Sequence, residues 1–253
     1  MSFRLLDRIA PMGLVILALI FVAGGCVTPT PIEDALAAQP RPLADQERDA
    51  QRRPGRVLSF FGVEAGNTAL DLYASSGYYT EVLSTAVGPT GRVLAQNDAY
   101  TREAREGALI RELDARVESG RIPNVERLDR ELDDLGLEAG SVDFALTALN
   151  FHDVHNTLGE EAVMNFLAEV HRVLKPDGVF GIVDHVGHPG VDNAKLHRIP
   201  ERTVVRAVRE AGFIVDGRSS VLHREWDDGS ESVFAKSVSG KTNRFVLRLR
   251  KAS

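Results

Sequence analysis

The 253-residue sequence contains one cysteine, Cys26, so no disulfide can form within the chain and its stability has to come from packing. It also lacks positive charge. A net charge of −6 argues against a general nucleic-acid surface, because phosphate binding needs clustered Lys and Arg. There is no internal repeat and no long low-complexity tract, so a stacked-repeat architecture is excluded. What remains is ordinary for a globular protein: 26% charged and 43% hydrophobic residues, enough at this length to bury one sizeable core.

The first residues have a different character. Arg4 and Arg8 precede an uninterrupted apolar run over 12–23, which ends at Gly24, Gly25 and Cys26. A basic start, a short apolar centre and a small-residue exit are the parts of a secretory signal. The run is shorter than the roughly 20 residues that span a bilayer. Small residues followed directly by cysteine resemble the lipobox of bacterial lipoproteins, with Ala23 where leucine is usual. That resemblance implies a signal peptide over 1–25, a lipidated Cys26 as the new first residue, and an exported protein anchored on the periplasmic side of a membrane. It also gives the lone thiol a reason to exist. Residues 26–42, with Pro29 and Pro31 and no periodicity at the start, read as a flexible tether, and 43–253 read as the folded domain.

Within the domain, strand and helix patterns alternate. Strands are expected over 68–73, 92–96, 125–128, 142–149 and 179–183, with helices over 78–87, about 100–119 and 160–174. A further helix over 200–211 is followed by two strands, 213–222 and 244–250, with no helix between them. Alternation of this kind implies parallel pairing through right-handed crossovers. The expected fold is therefore a doubly wound, Rossmann-like α/β sheet of seven strands, mostly parallel, with an antiparallel carboxyl-terminal pair. Ligands in such sheets bind beyond the carboxyl ends of the strands, where the strand order reverses.

The turn after the first strand runs from Asp71 through Tyr73, Ser75 and Gly77 into a helix beginning Tyr78, Tyr79, Thr80, Glu81. This resembles motif I of the class I SAM-dependent methyltransferases, where an acid and three spaced glycines let the backbone pass against the cofactor. Asp71 matches the motif acid and Gly77 the last glycine, while Tyr73 and Ser75 replace the other two. The strand 92–96, the Ser141–Val142–Asp143–Phe144 opening of a fourth strand, and Lys175–Pro176–Asp177–Gly178 before a fifth extend the resemblance over about 57–183. The sequence is also similar to bacterial predicted exported methyltransferases in its Arg48–Asp49 lead-in, its Asn150–His152–Asp153 strand end and its Asp227–Asp228 pair. The resemblance implies SAM as cofactor, with Asp71, Tyr73, Ser75 and Gly77 around it. Asn97 stands where the family carries the ribose-binding acid.

A second group of residues lies at the ends of the fourth and fifth strands. His152 and Asp153 follow one and Asp184 and His185 the other, which would gather all four on the ligand-binding edge. Two chemistries suit them: removal of a substrate proton by His152 or His185, or coordination of a divalent metal. No ligand set for such an ion is legible in the spacing.

The reading that unites these features is an exported lipoprotein that uses SAM to methylate a small molecule. The alternative is a methyltransferase-like lipoprotein that binds a ligand or a metal without methyl transfer. It draws support from the replaced glycines and from SAM being made in the cytosol. A third class, a structural envelope protein, would leave the His and Asp cluster without a purpose.

Overall fold

The computed structural model describes residues 28–252, so the signal segment and Cys26 lie outside the described residues. Seven strands form one sheet: β1 (Thr68–Leu72), β2 (Arg92–Asn97), β3 (Val125–Asp129), β4 (Val142–Ala148), β5 (Leu174–His185), β6 (Phe213–Ser219) and β7 (Arg244–Lys251), in the order β3-β2-β1-β4-β5-β7-β6. The first five are parallel, and β7 runs antiparallel between β5 and β6. The order reverses between β1 and β4, so the carboxyl ends of these two strands open a crevice, as the pattern predicted.

The helices in chain order are α1 (Pro31–Ala38), α2 (Leu43–Arg52), α3 (Pro54–Phe61), α4 (Tyr78–Val87), α5 (Ala99–Glu103), α6 (Ala108–Glu118), α7 (Phe151–Asp153), α8 (Gly159–Val173), α9 (Asn193–Leu196) and α10 (Glu201–Glu210). The period-2 alternation of the strands assigns them to two layers. Ala69, Val93, Ala95, Phe144 and Leu146 meet Val57 and Phe61 of α3, Val82 and Leu83 of α4, and Leu113 of α6. Leu70, Leu72, Leu94, Phe180 and Ile182 meet Phe166 and Val170 of α8 and Val204 and Val208 of α10. Each large side chain buried this fully stabilises the fold by about 1.5–3 kcal/mol. On β5 the Phe61 ring lies so close over Gly181 that a Cβ there would stand 2.7 Å from it.

The structure departs from the sequence reading in three places. The tether expected over 26–42 is folded from Thr30 onward. Thr30 and Glu33 form a reciprocal capping box, Leu36 of α1 is buried, and Arg41 is buried against Asp49. The long helix expected over 100–119 is broken, because Arg105, Glu106 and Gly107 all take left-handed backbone conformations that no α-helix continues through. The Lys175–Gly178 turn is instead a bulged start of β5. Leu174 pairs with Val142, register slips before Phe144 meets Val179, and Lys175 Nζ holds Asp143 at 2.6 Å.

Candidate active site

The turn leaving β1 is held by β2. The Tyr73 N–H donates to Gln96 Oε1 (3.0 Å), the Ala74 N–H to the Gln96 carbonyl (2.9 Å) and the Ser75 N–H to Asn97 Oδ1 (2.8 Å). Gln96 in turn donates to the Arg130 carbonyl at 2.6 Å, which ties β3 to the same turn. Tyr73, Ser75 and Gly77 have φ of 54°, 53° and 87°, so the path the motif normally gives to glycine is kept even where two side chains are present. Gly77 is doubly constrained, since a Cβ would also lie 2.8 Å from Leu113 Cδ1.

Asn97 is fully buried, and its role differs from the one its position suggests. Its oxygen is already occupied by the Ser75 amide, leaving Nδ2 as a buried donor with no partner. The next residue, Asp98, which the sequence reading left unassigned, caps α5 through the Thr101 N–H (2.7 Å) and lines the crevice. Tyr73 stands across from it. Burial first, then the Asp98, Glu131 and Asp153 carboxylates, push the Tyr73 pKa up, so it remains a neutral phenol. Asp71 points to the other layer and accepts the Thr80 hydroxyl (2.7 Å). Burial pushes its pKa up to about 7, against the opposing pull of Thr80 and of the Arg52 charge.

On the facing wall, Leu149 turns the chain after β4 through a left-handed φ of 68° and α7 begins. This brings His152 beside Asp184, which is fully buried at the end of β5. Asp184 accepts three hydrogen bonds: from the His152 backbone N–H (2.8 Å), from His152 Nδ1 (2.7 Å) and from the His185 N–H (2.7 Å). Burial pulls the His152 pKa down, but the charge and hydrogen bond of Asp184, with Asp153, raise it above its ordinary value overall. With Nδ1 engaged, Nε2 faces Asp153 Oδ1 at 3.3 Å.

His185 packs its ring edge-on against His152, 5.6 Å between centroids, but does not line the cavities. Its Nδ1 pairs with the Thr242 hydroxyl at 2.6 Å. Burial, then the positive charges of Arg244, His152, Arg198 and Arg52, push its pKa well down, so it stays neutral inside the fold. His197 lines the larger cavity, and its Nδ1 lies 3.1 Å from Asp153 Oδ1. His197 adopts a left-handed φ of 54°, and its ring packs on Phe234 at 4.8 Å between centroids. Its neighbour Arg198 has no solvent exposure and pairs with Asp227 through both terminal nitrogens (2.9 and 3.0 Å). Asp227 lies in the segment between the last two strands, for which the sequence predicts no helix. Nothing in the spacing marks Asp227 as the buried anchor of the histidine loop.

Two cavities of about 360 and 320 Å³ lie over the strand ends and share Tyr73, Asp98, Val154 and Leu158 in their walls. The larger is also lined by Asn150, Asp153 and His197, and the smaller by Glu131, Leu132 and Asp133 from the segment after β3. Of the residues expected here, Tyr73 and Asp153 reach the cavities directly, whereas Ser75, Gly77 and Asn97 shape the turn beneath them.

The amino-terminal helices close one side. Arg116 of α6 reaches Asp45 (2.5 Å) on α2 and Glu81 (2.6 Å) on α4. Asp49 of α2 accepts the Tyr78 hydroxyl at 2.6 Å, and the Arg52 guanidinium lies 4.4 Å from the Tyr78 ring centre.

Residues 70–182 match the family described as "Methyltransferase domain". A curated relative, the demethylmenaquinone methyltransferase of Staphylococcus aureus (strain JH9), is 32% identical over 124 residues, 49% of this chain and 45% of that protein. The chain therefore spans about half the length of the curated relatives it matches. Among solved structures, a SAM-dependent methyltransferase from Aquifex aeolicus superposes with a TM-score of 0.58 at 24% identity, covering 83% of this chain and 97% of the other. The [4+2]-cyclase SpnF superposes with a TM-score of 0.57 at 18% identity, covering 80% and 81%, so this fold also houses other chemistry. Residues 70–182 thus match a methyltransferase-domain family model, and the seven-stranded sheet around them has the fold of these methyltransferase structures.

Proposed function

We propose that the protein is a SAM-dependent methyltransferase acting on a small molecule, with the cofactor beside the 73–77 turn and the acceptor against His152, Asp153 and His197. One observation carries this reading: the larger cavity has Tyr73 of the methyltransferase-type turn in one wall and Asp153 and His197 in the other, with the carboxylate-held His152 imidazole buried behind Asp153. The fit of SAM rests on Asn97, whose buried Nδ2 has a proton to donate and no acceptor within the protein; a ribose hydroxyl supplies one. When bound, SAM supplies a methyl group made electrophilic by its sulfonium. The protein's contribution is positioning, worth several kcal/mol when two reactants are held in line. Asn97 and the pinned turn would fix the nucleoside end, and Asp184 fixes the imidazole, so neither wall has to reorganise as the reactants meet.

The same proposal places the protein beyond the cytoplasmic membrane with Cys26 lipidated, which the basic start, apolar run and small-residue exit of the sequence support. Cys26→Ser should then block processing and release the protein from membranes. Unchanged processing and membrane association would remove the anchor from the reading.

A second reading, binding without transfer, is favoured by Tyr73, which stands between the two cavities where the motif usually has glycine. Calorimetric titration of SAM and S-adenosylhomocysteine into the full chain separates the two. Micromolar binding to the native protein supports transfer. Binding only after Tyr73→Ala, which joins the cavities, supports a site closed to the cofactor. Absence of heat in both proteins up to millimolar ligand ends the methyltransferase reading.

A further inference from the structure

Three donor atoms converge at the mouth of the larger cavity: His152 Nε2, Asp153 Oδ1 and His197 Nδ1, all within 4.8 Å of one another. Asp153 Oδ1 is 3.3 Å from the first imidazole nitrogen and 3.1 Å from the second. Imidazole and carboxylate ligands bind first-row divalent ions at about 2.0–2.2 Å, which sets neighbouring donors about 3.0–3.5 Å apart. The two measured edges already have that length. The supporting residues also match what metal sites need. Asp184 takes His152 Nδ1 and thereby presents Nε2 as the free donor, the carboxylate–histidine arrangement that orients metal-binding imidazoles. His197 caps the end of α9 in a left-handed backbone conformation, and the fully buried Arg198–Asp227 pair beside it fixes the loop that carries its imidazole.

We propose that His152, Asp153 and His197 form a binding site for a divalent transition-metal ion of the zinc, iron, cobalt or nickel kind, open on the cavity side to an oxygen of the bound small molecule. Two nitrogens and one carboxylate select such an ion over Mg²⁺ or Ca²⁺, which take oxygen ligands. The remaining coordination positions face the space lined by Asn150, Thr157 and Tyr73. The ion lowers the pKa of a hydroxyl it binds. On the methyl-transfer reading, on which this role alone rests, the acceptor hydroxyl then gives its proton to solvent. Its oxygen forms the new O–CH₃ bond as the S–CH₃ pair returns to sulfur. The ion, rather than a free His152 base, would be the activating group.

The test uses the full chain, stripped with chelator and titrated with Zn²⁺ and Co²⁺ in separate experiments. One equivalent of each should bind, with visible Co²⁺ absorption bands in the native protein. Asp184→Asn, which removes no donor, should weaken binding about 10–100-fold. His197→Gln and Asp153→Asn should weaken it more, while His188→Ala, an exposed histidine outside the group, should leave it unchanged. Zn²⁺ should raise the unfolding temperature of the native protein and not of His197→Gln, a readout that holds even if a variant is less stable. Absence of stoichiometric binding, or equal losses in His188→Ala and His197→Gln, overturns the proposal. If the ion binds but S-adenosylhomocysteine does not, the methyl-transfer reading falls and the ion site stands.

Discussion

Replacing Gly77 by alanine and Ser75 by glycine should move stability in opposite directions, although both lie in one turn. At Gly77 the backbone φ is 87°, a region that costs an L-residue about 1–2 kcal/mol. The added Cβ would also meet Leu113 Cδ1 at 2.8 Å and Arg116 Cδ at 3.1 Å. Arg116 cannot swing aside without leaving Asp45 and Glu81, so the clash falls under overpacking, at about 1–3 kcal/mol. Alanine recovers about 0.4–1 kcal/mol by restricting the unfolded chain, leaving a net loss of about 1–4.5 kcal/mol. Ser75 already has φ of 53°, and its only turn-forming bond, from its backbone N–H to Asn97, survives substitution. Ser75→Gly should therefore gain about 0–1.5 kcal/mol, strain relief less the added entropy of the unfolded state. Urea unfolding of both variants against the native chain, compared at equal m-values, reads the two signs. A Gly77→Ala variant within about 0.5 kcal/mol of native, or a Ser75→Gly variant losing more than 1 kcal/mol, would refute the argument that left-handed geometry governs this turn.

Three further outcomes follow from buried charge and close packing. Asp71 has its pKa raised to about 7 by burial, above the unfolded value of about 3.9, so its contribution is fullest below pH 4 and is lost as pH rises toward 7. Asp71→Asn should cancel that loss, worth up to about 4 kcal/mol, so urea midpoints of the two proteins should diverge between pH 4 and 8; parallel curves would remove the buried carboxyl from the account. Arg116→Leu strips a counter-charge from the buried Asp45 and Glu81 carboxylates and should cost about 3 kcal/mol while making α1 and α2 sensitive to limited proteolysis; a loss below 1 kcal/mol contradicts the clamp. Gly181→Ala should cost about 1–3 kcal/mol because its Cβ meets the Phe61 ring. Adding Phe61→Leu should return part of that loss, and strictly additive effects in the double-mutant cycle would show that the two positions do not touch.

The sheet was legible because its signals are local. The near-continuous apolar run of 142–149 and the glycine and proline punctuation around it need no tertiary context. The helices α1 and α3 were not, because a proline by itself signals a break, whereas Pro31 and Pro54 each open a helix at the position where a missing N–H costs nothing. At the crevice, His152, Asp153 and Asp184 were found by their place at strand ends. His185 was assigned by the same rule, but its imidazole turns to Thr242 inside the fold and lines neither cavity. His197 belongs to the group only because Arg198 reaches across 29 residues to Asp227, a contact that leaves no trace in spacing or periodicity. Asn97 illustrates a third limit: which of its two polar atoms stays free depends on the Ser75 amide beneath it.

The capping box that opens α1 sets a length scale for the whole molecule. Among the described residues the first capped element opens at Thr30, four residues after Cys26, and α1 is packed onto α3 and α4 rather than swinging free. An anchor at Cys26 would thus have a leash of at most about 14 Å even fully stretched. That is nearly two Debye lengths of about 8 Å at physiological salt, so only the side of the domain that bears α1 would ride within the electrostatic reach of the lipid headgroups. An acceptor would then be met at the bilayer surface, and the composition of that surface would govern encounter as much as the crevice does.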